Sequence, residues 1–581
     1  MQELRLTGSR RTWSENFDQV TFLGPWCYLD QANISLLDIL KTKTVMGPWK
    51  HPDAIHEADE YINDLVSRLI PALLKQSTAG SLNSYSYGKL ALERSLSLWL
   101  IHWLSCLYDR YTSLSHLDAE LTRPYSVVVT DGPPREAQDT SLNNIVSMVL
   151  DHEYNLELMS DLISFFKWKN FKVKKMIPPV APSTSTSKAA FKTKVKNYIE
   201  DKIISELWEL GYINGISLLD KLKLKLKVDS KLISKNQQTE DEITLHFRQS
   251  DELLSFQPGN LFETYIRHAI LKQIPDPILI SFASSDVGKL WIGADLFADI
   301  KKQARISGLT RNGKWFDVQH GGGYGLMRTF PLAHSEYSFS NGFINWGWQS
   351  HGSYEGNFLP LPSPHLSKLP RRNLNAKNLI FVSTQYPHYL FRFHSAPLPE
   401  AVLNAAKEPV LFFSNLNSKA LSKSYYRPYP KNYIGWSLIE QVGHKLSGNQ
   451  ILSGKIRPSQ ILNMSRLVVV QSPQTTFLEA LASDVPVIGI FNSQVYQFSE
   501  ESQPYIEKMR KLHMVFDTPE AAADFINGRW NEEGENSLDA WWMSSELCEL
   551  KREFCYRYAR RADDWRQQWQ QFLVQELKNL R

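Results

Sequence analysis

The sequence predicts an α/β protein made of two consecutive Rossmann-like domains that face a cleft, followed by C-terminal helices. Three observations predict it. Short β-branched runs end at turn residues, as Tyr125-Ser-Val-Val-Val-Thr130 ends at Asp131-Gly-Pro-Pro. Stretches of helical periodicity separate these runs, long enough for the crossovers that parallel strands require. The 581 residues also exceed the roughly 250–300 at which one hydrophobic core stops growing, so two or three domains are expected.

Taken in order, Val20-Thr-Phe-Leu23 reads as a strand stopped by Gly24-Pro25, and Ala54 to Leu74 and Lys89 to Tyr108 read as helices. Asn143 to Phe166 returns to helical spacing after the Tyr125–Thr130 strand. From Phe165 to Lys235 the chain is lysine-rich and is interrupted by Ile177-Pro-Pro-Val-Ala-Pro-Ser-Thr-Ser-Thr-Ser187, a low-complexity stretch that reads as a loop. Within it, Lys221-Leu-Lys-Leu-Lys-Leu-Lys-Val228 alternates strictly. It suggests a strand with one cationic face, either a solvated edge or a surface for anionic lipid. Next come a helix near Leu261, a strand at Ile278–Ala283, a helix from Leu290 to Gly308, a strand at Trp315–Gln319 and another at Gly342 onward. Pro360 to Pro370 reads as an inter-domain linker. Asn378–Thr384, Val410–Ser414, Leu467–Val470 and Val487–Phe491 are the strands of the second unit, and helices follow from Pro519.

Composition narrows the class. The chain is 43% hydrophobic, 22% charged and 12% aromatic, which fits a packed globular protein and excludes wholesale disorder. A net charge of +4 is too small to name nucleic acid as a partner. Four cysteines without a C-x-x-C pair indicate neither a zinc site nor a disulfide framework. The first residues lack an apolar signal region, and the longest apolar run, Leu96 to Leu107, is about half the roughly 20 residues a bilayer crossing needs. A cytoplasmic setting is the expectation.

Two strand ends carry the chemistry. Arg466-Leu-Val-Val-Val-Gln-Ser-Pro-Gln-Thr-Thr-Phe-Leu-Glu479 reads as a buried strand and a polar turn that starts a helix, with Ser472 as N-cap and Pro473 in the first turn. Backbone N–H groups, the helix dipole and the hydroxyls of Ser472, Thr475 and Thr476 converge there beside Gln474, as a phosphate or carboxylate requires. Glu479, one turn on, is placed for a ribose or for an internal cap. In Val318-Gln-His-Gly-Gly-Gly-Tyr-Gly325 a strand runs into glycines, so the backbone of Gly321, Gly322 and Gly323 can approach a ligand closely. This is neither a dinucleotide fingerprint nor a P-loop. His320 is then a candidate acid, base or anion donor, with Glu336 nearby in sequence.

Tyr425-Tyr-Arg-Pro-Tyr-Pro-Lys-Asn-Tyr433 reads as a cationic, aromatic loop in which Arg427 could clamp a phosphate. Thr384 falls at a strand's carboxyl end, where open α/β sheets bind ligands. Asp18, Asp30 and Asp286 are candidate carboxylates among which the sequence does not choose. No Asp-x-Asp motif or convincing metal-ligand spacing is present, so a reaction without metal or cofactor is expected. G-x-S-x-G is absent as well.

Leu23-Gly-Pro-Trp-Cys27, Leu82-Asn-Ser-Tyr with the helix carrying Trp99, Gln319-His-Gly-Gly-Gly-Tyr-Gly325, Asn345-Trp-Gly-Trp348, Arg427-Pro-Tyr-Pro and Ser472-Pro-Gln-Thr-Thr-Phe-Leu-Glu479 occur together. In combination they resemble a family of surface-polysaccharide (O-antigen) transferases, and the resemblance runs across residues 12 to 530. That family is similar to bacterial GT-B glycosyltransferases using CMP-activated ulosonic acids, the retaining β-Kdo transferases among them.

The resemblance implies a GT-B-like chain. Residues 1–365 would form the acceptor-side domain with a Lys-rich insertion near 165–235, residues 366–518 the nucleotide-sugar domain and residues 519–581 the C-terminal helices. It implies that Ser472, Thr475 and Thr476 bind donor phosphate or sugar carboxylate, with Arg427 neutralising charge there and His320 across the cleft. A catalytic carboxylate of the N-terminal domain, as in the retaining enzymes, has no clear counterpart. The implied reaction moves Kdo or a nonulosonic acid from a CMP-sugar to a surface glycan or lipid-linked glycan, on the cytoplasmic side of the bacterial membrane. Two alternatives stand beside it: a GT-B enzyme using a UDP- or GDP-hexose or CDP-glycerol, and a non-catalytic glycan- or membrane-binding scaffold. For the last, the basic aromatic segment Phe554 to Trp569 is the candidate interfacial helix.

Overall fold

Parallel pairing organises the chain into three five-stranded sheets. The computed structural model describes residues 2–13, 17–28, 43–45, 47–76, 86–136, 142–176, 208–226, 240–245, 259–275, 278–283, 290–294, 306, 313–384, 387–429 and 442–580. The first sheet holds β1 (Glu3–Arg5), β2 (Val20–Phe22), β3 (Lys43–Thr44), β4 (Tyr125–Thr130) and β5 (Phe171–Met176) in the order β3-β2-β1-β4-β5. Its connections are helical: Pro52–Gln76 and the 35-residue Ser86–Glu120, then Leu142–Val149 and His152–Phe166. The last two split one expected helix. Asp151 separates them because its side chain accepts the Tyr154 N–H and so caps the second.

β6 (Trp208–Leu210) opens the second sheet. β7 (Glu240–Leu245) and β8 (Ile278–Ala283) then pair antiparallel as a separate ribbon. β9 (Leu290–Ile292), β10 (Lys314–Val318), β11 (Gly342–Asn345) and β12 (Phe358–Pro360) complete the second sheet in the order β12-β11-β10-β9-β6, again all parallel. The third sheet has β13 (Asn378–Val382), β14 (Ser424–Arg427), β15 (Ser465–Val470), β16 (Val487–Ile490) and β17 (Val515–Phe516) in the order β14-β13-β15-β16-β17. The expected α/β class with parallel sheets is what the chain adopts. The region anticipated as one N-terminal domain, 1–365, carries two sheets rather than one. Within the Lys-rich stretch near 165–235, β5 closes the first sheet and β6 belongs to the second, while 177–207 and 227–235 lie outside the described residues.

Several local expectations are corrected. Val410–Ser414 lies inside the Pro399–Asn415 helix, where adjacent Phe412 and Phe413 are both buried and flank Phe381 at 5.1 and 5.6 Å. A short apolar run does not distinguish a buried strand from a buried helical turn. Leu290, expected to start a helix, starts β9; most of that expected helix lies outside the described residues, as do the 177–187 stretch and Asp30. The Lys/Leu alternation is the Leu218–Leu226 helix. Ser217 and Asp220 cap it reciprocally: the Ser217 N–H donates to Asp220 Oδ2 (3.0 Å) and the Asp220 N–H to Ser217 Oγ (3.3 Å). Lys221 donates to the carbonyls of Leu210 and Gly211, so this lysine anchors β6. Arg427, expected in a loop, ends strand β14.

The C-terminal helices tie two sheets together. Ser545–Tyr558 packs its Leu547, Leu550 and Phe554 into the third sheet's core. The chain then recrosses, and the Trp565–Asn579 helix buries Trp565, Trp569, Leu573 and Leu577 against Phe316, Val318 and Ile344 of the second sheet. The segment expected as one interfacial helix is therefore two helices with a break between Tyr558 and Trp565. Phe554, Tyr558, Trp565 and Trp569, its principal aromatics, lie in protein cores. Among the described residues no helix is long and apolar enough to cross a membrane.

Candidate active site

The carboxyl ends of the second and third sheets meet. After β10 the chain passes through His320 into the glycines, and after β15 it passes through Gln471 and Ser472 to a helix at Thr475–Ala482. The Gly322 N–H donates to Thr475 Oγ1 at 2.9 Å. A Cβ on Gly322 would stand 2.4 Å from the Gln474 carbonyl carbon and 2.5 Å from the Thr475 nitrogen. Only a glycine permits this approach. Gly321 lies alongside, and Gly323 takes a left-handed φ of +101° that turns the loop.

Gln319 holds the loop from beneath. Its amide donates to the Gly321 carbonyl (2.8 Å), and its Oε1 accepts from the Trp346 N–H and Trp348 Nε1, both at 3.0 Å. The aromatic turn after β11 thus positions the glycines. The helix start differs from expectation. Gln474 is the N-cap, without a side-chain cap bond, and Ser472 and Pro473 lie before the helix. Ser472, Gln474, Thr475 and Thr476 still line one stretch of half-exposed chain facing the glycine loop.

A buried relay stands behind His320. The Tyr324 hydroxyl lies 2.8 Å from Glu336 Oε1 and 3.0 Å from His320 Nδ1. Glu336 is buried, and its Oε2 has no hydrogen-bond partner. Burial first, and the neighbouring Asp317 second, hold its carboxyl well above the usual range. Burial, and then Arg392, push His320 down to about 4. The two groups are 3.8 Å apart, and with His320 neutral they form no ion pair. Tyr324 donates to Glu336 Oε1, and its hydroxyl oxygen is within hydrogen-bond distance of His320 Nδ1. His320 has 35% of its side chain exposed.

Arg427 enters from the edge of the third sheet. It donates to the Gly454 carbonyl at 2.8 Å while its Nε is buried without a partner, and burial lowers its pKa against the opposing pull of Glu479 and Tyr429. Thr384 is half-buried after β13 and its N–H reaches Gln471 Oε1 at 3.4 Å. Glu479 does not stand open to a ribose. It is 2% exposed and accepts from His365 Nε2 at 2.6 Å, which fastens the Pro364–Lys368 helix of the linker to the third sheet. Asp18 is also displaced from the expected site, being exposed at the amino end of β2, opposite the ligand-binding edge. Asp286 lies outside the described residues.

Sequence reasoning missed Tyr324, Gln319 and Gln471. The first two lie inside the quoted glycine motif, where only the fold distinguishes support from contact. Gln471 bridges strand ends by accepting from Ser383 Oγ (2.9 Å) and donating to Glu408 Oε2 (2.8 Å).

The chain thus offers a ligand the carboxyl edges of two parallel sheets, with a C-terminal helix recrossing between them. It belongs to the LIC12162 family of transferases, whose model matches residues 2–573. No curated protein matches the chain. Solved structures similar to it include TarM, with 11% identity over 82% of this chain and 95% of that one and a TM-score of 0.31. A GtfA/B complex shows 13% identity over 58% and 63% and a TM-score of 0.28. MurG of Acinetobacter baumannii shows 9% identity over 78% and 100% and a TM-score of 0.29.

Proposed function

We propose that the protein is a glycosyltransferase that moves an ulosonic acid, Kdo or a nonulosonic acid, from a CMP-sugar to a bacterial surface glycan or lipid-linked glycan. The observation that carries the transferase chemistry is the docking of Gly322 on Thr475, which brings two ligand-binding edges into one cleft. In this reading the donor phosphate lies against the Thr475–Ala482 helix start and Arg427, where the dipole, N–H groups and guanidinium stabilise the departing nucleotide. His320 serves the acceptor hydroxyl as acid or base. The acceptor oxygen bonds to the anomeric carbon, the bond from that carbon to the phosphate oxygen breaks, and the hydroxyl proton leaves with the phosphate. Cationic side chains take the leaving charge, so the reaction needs no metal or cofactor. The acceptor's placement at a membrane face on the cytoplasmic side belongs to the same reading; of the C-terminal aromatics, Phe554, Tyr558, Trp565 and Trp569 are buried and Tyr556 is exposed.

The test is nucleotide release with purified protein and acceptor glycan, compared across CMP-Kdo, CMP-nonulosonic acids, UDP- and GDP-hexoses and CDP-glycerol. Release from a CMP-ulosonic acid alone is expected. Turnover restricted to a UDP- or GDP-hexose or to CDP-glycerol would overturn the donor while keeping the enzyme class, and no turnover with any donor would favour the scaffold alternative.

A further inference from the structure

A pocket lies away from the cleft, where the chain passes twice between the second and third sheets. It is an open cavity of about 610 Å³, within the size range of small-ligand sites. Arg371 lines it from just after the Pro360–Pro370 linker, Arg552 from the Ser545–Tyr558 helix, and Arg560 and Arg561 from the break between the two C-terminal helices. The Thr475–Ala482 helix starts at the glycine loop and ends in the pocket wall with Leu481 and Ala482, roughly 12 Å on. Beside the pocket the two passages hold each other: the Ser363 N–H donates to the Arg560 carbonyl at 2.9 Å and the Ala562 N–H to Ser367 Oγ at 3.2 Å.

Among the described lining residues five side chains are cationic and one, Asp484, is acidic. The fold itself accounts for two of the cations. Lys551 donates to Asp484 Oδ1 at 2.9 Å and to the Trp542 carbonyl at 3.0 Å, and the Trp542 indole N–H donates to the same Asp484 oxygen at 3.0 Å, so this carboxylate is already engaged. Arg561 donates to the Leu369 carbonyl at 2.9 Å and to the Ala482 carbonyl at 3.4 Å, at the negative end of that helix, and its Nε is buried without a partner. The others are not so explained. Arg560 reaches only neutral groups, the Pro360 carbonyl at 3.4 Å and Gln568 Oε1 at 3.2 Å. Arg371 and Arg552 are exposed and make no hydrogen bond or ion pair among the described residues. Solvation of one helix face does not explain the gathering, because the four guanidiniums come from three separate stretches of chain. A concave surface lined by one sign of charge concentrates counter-ions from solution.

We propose that this pocket is an anion-binding site outside the cleft and that it takes a phosphate compound carrying at least two negative charges. Guanidinium forks match phosphate oxygens in pairs, and a cavity of this size holds a ligand larger than a single phosphate. Two sources supply that chemistry, a soluble diphosphate compound and the headgroup of a lipid with two phosphates. An occupant held by Arg371, Arg552 and Arg560 joins both passages to a helix of the third sheet, and so braces the second sheet against the third. The inference is independent of the donor that the cleft uses.

The experiment is calorimetric titration with inorganic pyrophosphate and inorganic phosphate at fixed ionic strength. Wild type is compared with the double variant Arg371→Gln, Arg552→Gln and with a control, Lys508→Gln, Lys511→Gln, which removes the same charge from exposed positions of the Gln503–Lys511 helix. Any pyrophosphate taken by the cleft is common to all three proteins, so the difference between them reads this pocket. Wild type and control are expected to bind pyrophosphate more tightly than phosphate, and the pocket variant to bind it at least about 10-fold more weakly, with the ligand-free melting temperature equal in all three. Equal affinity in the three proteins would overturn the site. So would equal weakening in the pocket variant and the control, which marks a general effect of surface charge. Sedimentation with vesicles of phosphatidylcholine, alone and mixed with an equal part of cardiolipin, then separates the sources. Binding that needs cardiolipin and is lost in the pocket variant assigns the lipid headgroup; vesicle binding that is absent, or equal in wild type and variant, assigns the soluble compound.

Discussion

Gly322 packs where no side chain fits. A methyl group there would meet backbone atoms of Gln474 and Thr475, and backbone at the start of a helix cannot yield as a side-chain tip does. Gly322→Ala must therefore separate the two strand-end loops, and misplacement of about 1 Å can cost about 100-fold in rate. Gly448→Ala is the matched control, because nothing lies within 4 Å of a Cβ at that position. Transfer assays are expected to show a loss of about 100-fold in kcat/KM for the first and wild-type activity for the second. Equal activity in both would mean that the closed contact is not used in the reaction. Thr475 and the glycines were legible because glycine clusters and helix starts have local chemistry. The pocket of Arg371, Arg552, Arg560 and Arg561 was not: its arginines meet only in space, from three separate stretches of chain, and no spacing rule joins them.

At the scale of elements, the strands ending at the cleft were the most legible. β10, β13, β15 and β16 are buried β-branched or aromatic runs ending at polar or glycine turns, and both sequence signals point to the same element. Errors fell where one pattern serves two structures. Val410–Ser414 is apolar enough for a strand, yet it is the buried side of a helix. Lys221–Leu226 alternates as a strand does, yet Lys and Leu are strong helix formers and the Ser217–Asp220 cap decides the outcome. The Trp565–Asn579 helix looked like a surface element because Arg and Gln dominate its polar side, while its tryptophans face the second sheet. Trp569 is 1% exposed and its Nε1 donates to the Pro362 carbonyl at 2.9 Å. Trp569→Ala should cost about 3–5 kcal/mol, read from chemical denaturation followed by tryptophan fluorescence and circular dichroism. A loss below about 1 kcal/mol would show that the recrossing helix does not hold the second sheet.

Across the whole molecule, the formal charge of +4 conceals the feature that sets its response to pH, a set of buried groups held neutral. His102, His351 and His394 are buried with folded pKa values near 3, 4 and 3, against about 6.5 when unfolded. Below about pH 6.5 the unfolded chain binds protons that the folded chain refuses, so stability falls as pH drops from about 6.5 toward 4. Asp59 has the opposite sign. Its folded pKa of about 8 exceeds an unfolded value near 4, so stability declines as pH rises between those values, by at most about 1.4 kcal/mol per pH unit. For these four groups the opposed slopes balance near pH 7, with losses on both sides. Asp59→Asn removes the Asp59 share of the alkaline slope, because the amide keeps the shape and cannot ionise; Glu408, pushed up to about 7 by burial, keeps a share of it, and the histidines preserve the acid slope. Urea midpoints at pH 5, 6.5 and 8.5 check this: from pH 6.5 the variant should lose more stability than wild type on going to pH 5 and less on going to pH 8.5. Identical alkaline slopes would mean that Asp59 is ionised in the folded protein.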